Sequence, residues 1–354
     1  MNTSSKYNTD WPQSPGATIL AIATSRGETL SALSEDLGPD FAAVIEDSSP
    51  ISNELAQRLE ERLGGSKGFW LRRDASFQEA KREPELEKES DWLKSLPYAD
   101  IANLGWLPRV RKTDEKIENL YDFFGCDNLR EWRAMYGATL DRVAFRTTFA
   151  FENDAGATLA WLRMGDILAD SIKAETFSTE TLRNNIDALR KECRKSSPEL
   201  FLPNVERILA DAGVKFVVAR APKGCRASGA TRIIGSDVAI IQMSFRYLSD
   251  DHFWFTLFHE VGHLLLHRDN DMFLEGTFVE KNEIEEEANH FSAATLIPDS
   301  ARDEIRNMVA TRNNIIRMAF NIGVSPGILV GQMQHMGIIA PSSMNFLKRR
   351  FRWK

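Results

Sequence analysis

The sequence predicts a mainly α chain with a small β-sheet, an α+β fold. Three observations carry this. Short apolar stretches at helical spacing, punctuated by glycine and proline, fill residues 16–77. Strand-like runs lie close together between residues 214 and 244. An apolar helical run from Trp254 to Leu266 follows them, and a second helical pattern lies within Asn282–Pro298, where Ile284, Ala288, Phe291 and Ala294 recur at helical spacing.

Taken in chain order, residues 1–15 read as a disordered N-terminus. Residues 16–77 form a small helical domain, with helices over Ala17–Arg26, Leu30–Leu37, Phe41–Glu46 and Asn53–Leu63. Gly27, Gly38-Pro39, Ser48-Ser49-Pro50 and Gly64-Gly65 separate them. Residues 78–197 are a connector and helical scaffold. Their charged start, Glu79 to Glu89, gives way to apolar stripes such as Leu120, Phe123 and Phe124, or Ala160, Trp161 and Leu162.

Residues 198–354 form the last domain. Val205–Ala212 is a helix stopped by Gly213, and Val214–Ala219, Ala230–Ile234 and Val238–Ser244 are strands. Gly235-Ser236-Asp237 is a hairpin signal. Asp250 or Asp251 is expected to cap the next helix. Beyond Pro298, Ala301–Arg306 and Asn313–Phe320 are helical. The basic, aromatic tail Phe346–Lys354 is expected to pack its rings and leave its cations in water.

Four of the six histidines fall between His252 and His267, and His259 and His263 bracket Glu260 in H-E-x-x-H. Residues four apart share a helix face, so both imidazoles can meet one ion. Zinc takes imidazole at about 2.0–2.1 Å, and a catalytic site uses three protein ligands plus water. Glu260 is then placed to take a proton from that water. The surrounding apolar run implies burial, where two imidazoles and a carboxylate need partners. Gly262 costs a helix about 1 kcal/mol against Ala and signals a close neighbour, with a backbone strand as the candidate.

A third ligand is expected from this second helix, within Asn282–Pro298. Glu285 lies near its apolar stripe and is the first choice, with Glu287 second; Glu286 faces solvent. His267 as a third ligand is disfavoured by geometry. Eight helical residues rise about 12 Å, whereas two ligands of one zinc lie about 3–4 Å apart. His267 therefore reads as a helix-end residue or a support for a ligand, and His290 as structural or supporting. Arg246, Tyr247 and His252 are candidates for stabilising developing negative charge.

The run from His259 to His267, the run from Glu285 to Pro298 and the upstream run from Ile241 to Phe258 resemble the ImmA/IrrE family of zinc metallopeptidases. The likeness covers roughly residues 200–300. It implies a thermolysin-like minimal zincin domain of gluzincin type, with His259, His263 and Glu285 as zinc ligands and Glu260 as general base. It also implies limited cuts in a repressor or partner protein. The helices of residues 16–77, with Gly68-Phe69-Trp70-Leu71, resemble the helix-turn-helix domain of HigA-type antitoxins and phage-type repressors. This sequence departs from that pattern where DNA is read: Phe41–Asp47 carries no Lys, Arg, Asn or Gln. A degenerate domain used for dimerisation or docking is the alternative, so a homodimer is one expected assembly.

Composition sets bounds. There are 43% hydrophobic and 27% charged residues and no apolar run near 18 residues, so no membrane span is expected. The start lacks the apolar core of a signal peptide. Cys126, Cys193 and Cys225 are far apart, as in a reducing cytoplasm. A net charge of −7 disfavours nonspecific DNA binding by the whole chain. The expected function is a cytoplasmic zinc endopeptidase binding one Zn2+ and cutting a repressor- or antitoxin-like protein in a stress, phage or toxin–antitoxin response. The alternative is a non-catalytic DNA-binding regulator or antitoxin with structural zinc.

Overall fold

A computed structural model describes residues 14–46, 49–80, 85–146, 152–234, 237–267, 272–274 and 283–353. The disorder expected for residues 1–15 falls mostly, and the turn at Gly235-Ser236 wholly, outside them. The chain is largely helical with a small sheet, an α+β architecture. It divides into two compact units, Met1–Arg163 with Pro222–Cys225, and Met164–Ala221 with Arg226–Lys354. No single helix among the described residues is long and apolar enough to cross a membrane.

The first unit begins with α1 (Pro15–Ser25), α2 (Leu30–Leu37), α3 (Asp40–Ile45), α4 (Asn53–Leu63) and α5 (Lys67–Ala80). Sequence periodicity anticipates the first four; α5, built on Gly68-Phe69-Trp70, was not read as a helix. Ser52 starts α4 by accepting the Leu55 N–H at 3.1 Å. Leu55, Leu59 and Leu63 then recur on one face and pack against Ile19, Leu33 and Trp70. Next come α6 (Glu85–Ser95), α7 (Tyr98–Asn103), α8 (Thr113–Phe124), α9 (Leu129–Arg146) and α10 (Glu152–Asp170), whose last part, from Met164, belongs to the second unit. Trp92 stacks on Tyr121 and meets Phe124 and Trp132 tilted or edge-on, so these rings pack against one another.

In the second unit α11 (Thr179–Asn184), α12 (Ile186–Glu192) and α13 (Pro198–Ala210) precede the sheet. α13 starts earlier than expected and runs through Pro203. The strands are β1 (Val214–Val218), β2 (Gly229–Ile234), β3 (Val238–Met243) and β4 (Met272–Leu274), in the order β1-β3-β2-β4. β1 and β3 are parallel; β2 pairs antiparallel with both β3 and β4. β4 has three residues, too few for a period of two to be read.

Side-chain alternation splits the sheet into two faces. Ala239, Ile241 and Met243 join the main core with α14 (Asp250–Leu266). Ile240 and Val217 instead pack with Ala169 at the end of α10, where Arg232 pairs with Asp166 at 3.0 Å. The remaining helices are α15 (Glu283–Leu296), α16 (Asp299–Asn307), α17 (Arg312–Ile322) and α18 (Pro326–His335). α18 lies beyond the helices anticipated from sequence.

Three local expectations are corrected. Ser249, not Asp250 or Asp251, occupies the cap position of α14. Both acids turn inward: Asp250 accepts from Ser325 Oγ at 2.6 Å, and Asp251 pairs with Lys348 at 2.6 Å. Gly262 faces another helix rather than a strand, because an added Cβ would meet Phe291 and the Ala288 backbone of α15. The tail does bury Phe351 against Phe201, Phe245 and Phe253. Its cations are not all in water, since Lys348 is 9% exposed and holds Asp251.

Candidate metal centre

α14 is buried over nearly its whole length, and His259, Glu260 and His263 are each no more than 1% exposed. Free imidazoles and a carboxylate are costly in such a place unless partnered. Close packing at Gly262 lets α15 approach, and Ser292 Oγ ties the two helices by donating to Phe255 O at 2.8 Å. This brings Glu285 against the histidines.

The three donors form a small triangle. His259 Nε2 and His263 Nε2 are 2.9 Å apart. Glu285 Oε2 is 3.1 Å from His259 Nε2, and Oε1 is 3.4 Å from His263 Nε2. Bonds of about 2.0–2.1 Å in tetrahedral geometry place ligand atoms about 3.3 Å apart. The residues therefore fit a zinc-sized ion. Among the described residues this is the one group of His, Cys, Asp and Glu with such spacing.

Protonation agrees. Burial, helped by neighbouring His259 and His267, pushes His263 down to about 4, against the pull of Glu285. Burial would raise Glu285, but the bonds to His259 and His263 outweigh it and hold its carboxyl at about 2. The site thus offers a neutral imidazole and an ionised carboxylate, the forms that ligate.

Outer partners set the tautomers. The Asn289 side-chain oxygen lies 3.0 Å from His259 Nδ1, so Nδ1–H donates there and Nε2 keeps its lone pair. Glu287 Oε2 lies 2.8 Å from His267 Nε2 and accepts its proton. His267 Nδ1 is then the acceptor for His263 Nδ1–H, at 3.2 Å. With an ion between them, both ligand histidines would present an Nε2 lone pair to the point they share with Glu285, in place of the hydrogen bonds they otherwise give its carboxylate.

Glu260 lies against β2. Thr231 Oγ1 donates to its Oε2 at 2.6 Å. A Cβ on Gly229 would overlap Oε1, so only glycine lets the strand lie this close.

Of the expected site residues, His259, Glu260, His263 and Glu285 come together, and His267 sits at the helix end, touching His263. Glu287, 64% exposed, reaches His267 rather than the triangle. His290 is exposed. Arg246, Tyr247 and His252 gather at the start of α14, where Tyr247 stacks on His252 at 4.2 Å. His252 lies seven residues, about 10 Å of helix rise, before His259. Asn289, Thr231 and Gly229 were not anticipated. Asn289 was findable, since it lies one helical turn after Glu285. The other two depend on strand register.

A buried helix carrying two histidines and a glutamate, with a carboxylate from its neighbour as the third donor, has the make-up of a metallopeptidase-type centre. Residues 239–330 match the family model described as IrrE N-terminal-like domain (Peptidase_M78), about a quarter of the chain, from β3 into α18. That match carries a protease-type function for this region. Comparison with curated proteins returns no match.

Proposed function

We propose that the chain is a zinc-dependent, gluzincin-like endopeptidase that makes limited cuts in a regulatory partner protein, a repressor or antitoxin-like chain, in the cytoplasm. The observation that carries the reading is the His259–His263–Glu285 triangle, 2.9–3.4 Å on each side, with Glu260 on the same buried helix. Three donors with one position left for water is the catalytic pattern; structural zinc sites close with four.

His259, His263 and Glu285 would hold the ion. When bound, zinc lowers the pKa of its water toward about 7 and polarises the substrate carbonyl. Glu260 takes the water proton and later gives it to the leaving amine. Thr231 fixes one oxygen of that carboxylate, so the base is oriented before substrate arrives. Asn289, and His267 with Glu287, keep both imidazoles in the ligating tautomer.

The helical domain of residues 16–77 serves docking or dimerisation rather than base reading. α3 carries no cation or amide side chain, and Arg62 is spent on Glu28 and Asp36. The test compares proteomes of cells expressing the wild type and Glu260→Gln. One protein shortened only by the wild type, with zinc retained by both, supports the reading. Cleavage surviving in Glu260→Gln refutes the role of that residue.

A further inference from the structure

The turn between β3 and α14 is strained and tightly held. Phe245 and Leu248 take left-handed backbone, φ 51° and 48°, although neither is glycine. Leu248 N–H donates to Phe245 O at 3.0 Å and closes the turn. Phe245 stacks on Phe253 at 4.5 Å and meets Phe351 and Trp353 edge-on. Leu248 O accepts the Phe351 N–H at 2.8 Å. Strain of this kind persists where the surroundings enforce it, and it clusters at ligand sites.

The turn displays Arg246 and Tyr247, both exposed. The Arg246 guanidinium lies 5.6 Å from the Tyr247 ring centre and donates to Arg226 O. Arg350 donates to Tyr247 O at 3.5 Å. Beside them lies a small groove, about 10 Å³ in volume, lined in part by Ser228, Tyr247, His252, Phe253 and Thr256. Thr256 lies one helical turn before Glu260, and a Cβ on Gly229 would meet both. Thr256 therefore puts one wall of the groove near the general base.

Its charges do not balance. The charged groups that act on His252, besides its burial, are Asp251, Lys348 and Arg350. Asp251 is taken by Lys348, and Asp250 by Ser325 and the Arg349 N–H. Among the described residues, neither Arg246 nor Arg350 has a carboxylate partner. Two unmatched guanidiniums thus flank the groove of a chain with net charge −7.

We infer that this groove is a substrate subsite for an aspartate or glutamate side chain of the cleaved peptide, with Arg246 and Arg350 determining the preference. A carboxylate accepting from a guanidinium fits both the charge and the exposed donors. The inference rests on the peptidase reading above.

The test uses the zinc-loaded full chain and fluorogenic peptides varied one position at a time around the cut. At one position Asp or Glu should give kcat/KM about tenfold above Gln, the scale of one charge-assisted hydrogen bond. Joint Arg246→Ala and Arg350→Ala should erase that preference with zinc content and melting temperature unchanged. Arg246→Glu should shift it toward Lys. Cleavage without acidic preference, or a preference surviving the double substitution, overturns the subsite and leaves the peptidase reading standing. If no peptide is cut by zinc-loaded protein, the peptidase reading fails. The groove is then judged by fluorescence anisotropy of short labelled Glu peptides against Lys counterparts, and equal binding overturns it.

Discussion

The two units are both rich in helix, yet they bury different chemistry. Around Leu33, Leu55, Leu59 and Trp70 the packing is hydrocarbon and aromatic, and among the described residues of that unit Asp74 is the one charged group less than 9% exposed. There Arg62 stays half-exposed with Glu28 and Asp36. Around α14 the interior holds Arg232, Asp250, Asp251, His259, Glu260 and His263, none more than 9% exposed. Buried charge is costly unless matched, and here it is matched by long-range partners: Asp166, Ser325, Lys348, Thr231 and Glu285. Apolar periodicity is enough to build a small helical domain. Charge concentrated in a core marks the place where the fold serves reactivity.

Substitutions can break or sharpen that contrast. The largest expected stability loss is Lys348→Ala, which leaves Asp251 buried and unpaired. It should lower the stability of the second unit by about 3–5 kcal/mol, read by urea unfolding. A loss no greater than that from a surface pair would remove the contrast. Gly229→Ala forces a methyl against Glu260 and should cost about 1–3 kcal/mol, with cleavage falling even where the protein stays folded. His267→Ala should weaken zinc by about 10–100-fold in a chelator competition, with Glu287→Ala milder because that carboxylate is largely exposed. Unchanged affinity in both would show that the relay does not orient His263. Arg62→Ala in the first unit should shift the urea midpoint least of these, since its ion pairs lie near water.

Much of the site was legible because its geometry is local. Spacing by four puts His259 and His263 on one face, and an apolar stripe pulls Glu285 inward. What sequence could not supply was the far side of each contact. Gly262 announces a close approach without naming α15. Asp250 and Asp251 look like caps until Ser325 and Lys348, both far along the chain, draw them inward. Thr231 reaches Glu260 only through the register of β2 with β3. Three-residue β4 carries no pattern to read. In the first unit, α3 shows the opposite limit. Its apolar face is plain, but a helix of this shape with DNA-reading side chains would give the same packing signal.

Zinc K-edge X-ray absorption on the purified full chain tests the central claim most directly. The account predicts one ion per chain with only nitrogen and oxygen neighbours at about 2.0–2.1 Å, two of them imidazole, and loss of that signal in His263→Ala. Sulfur neighbours near about 2.3 Å, or an ion that persists unchanged in His263→Ala, would contradict it.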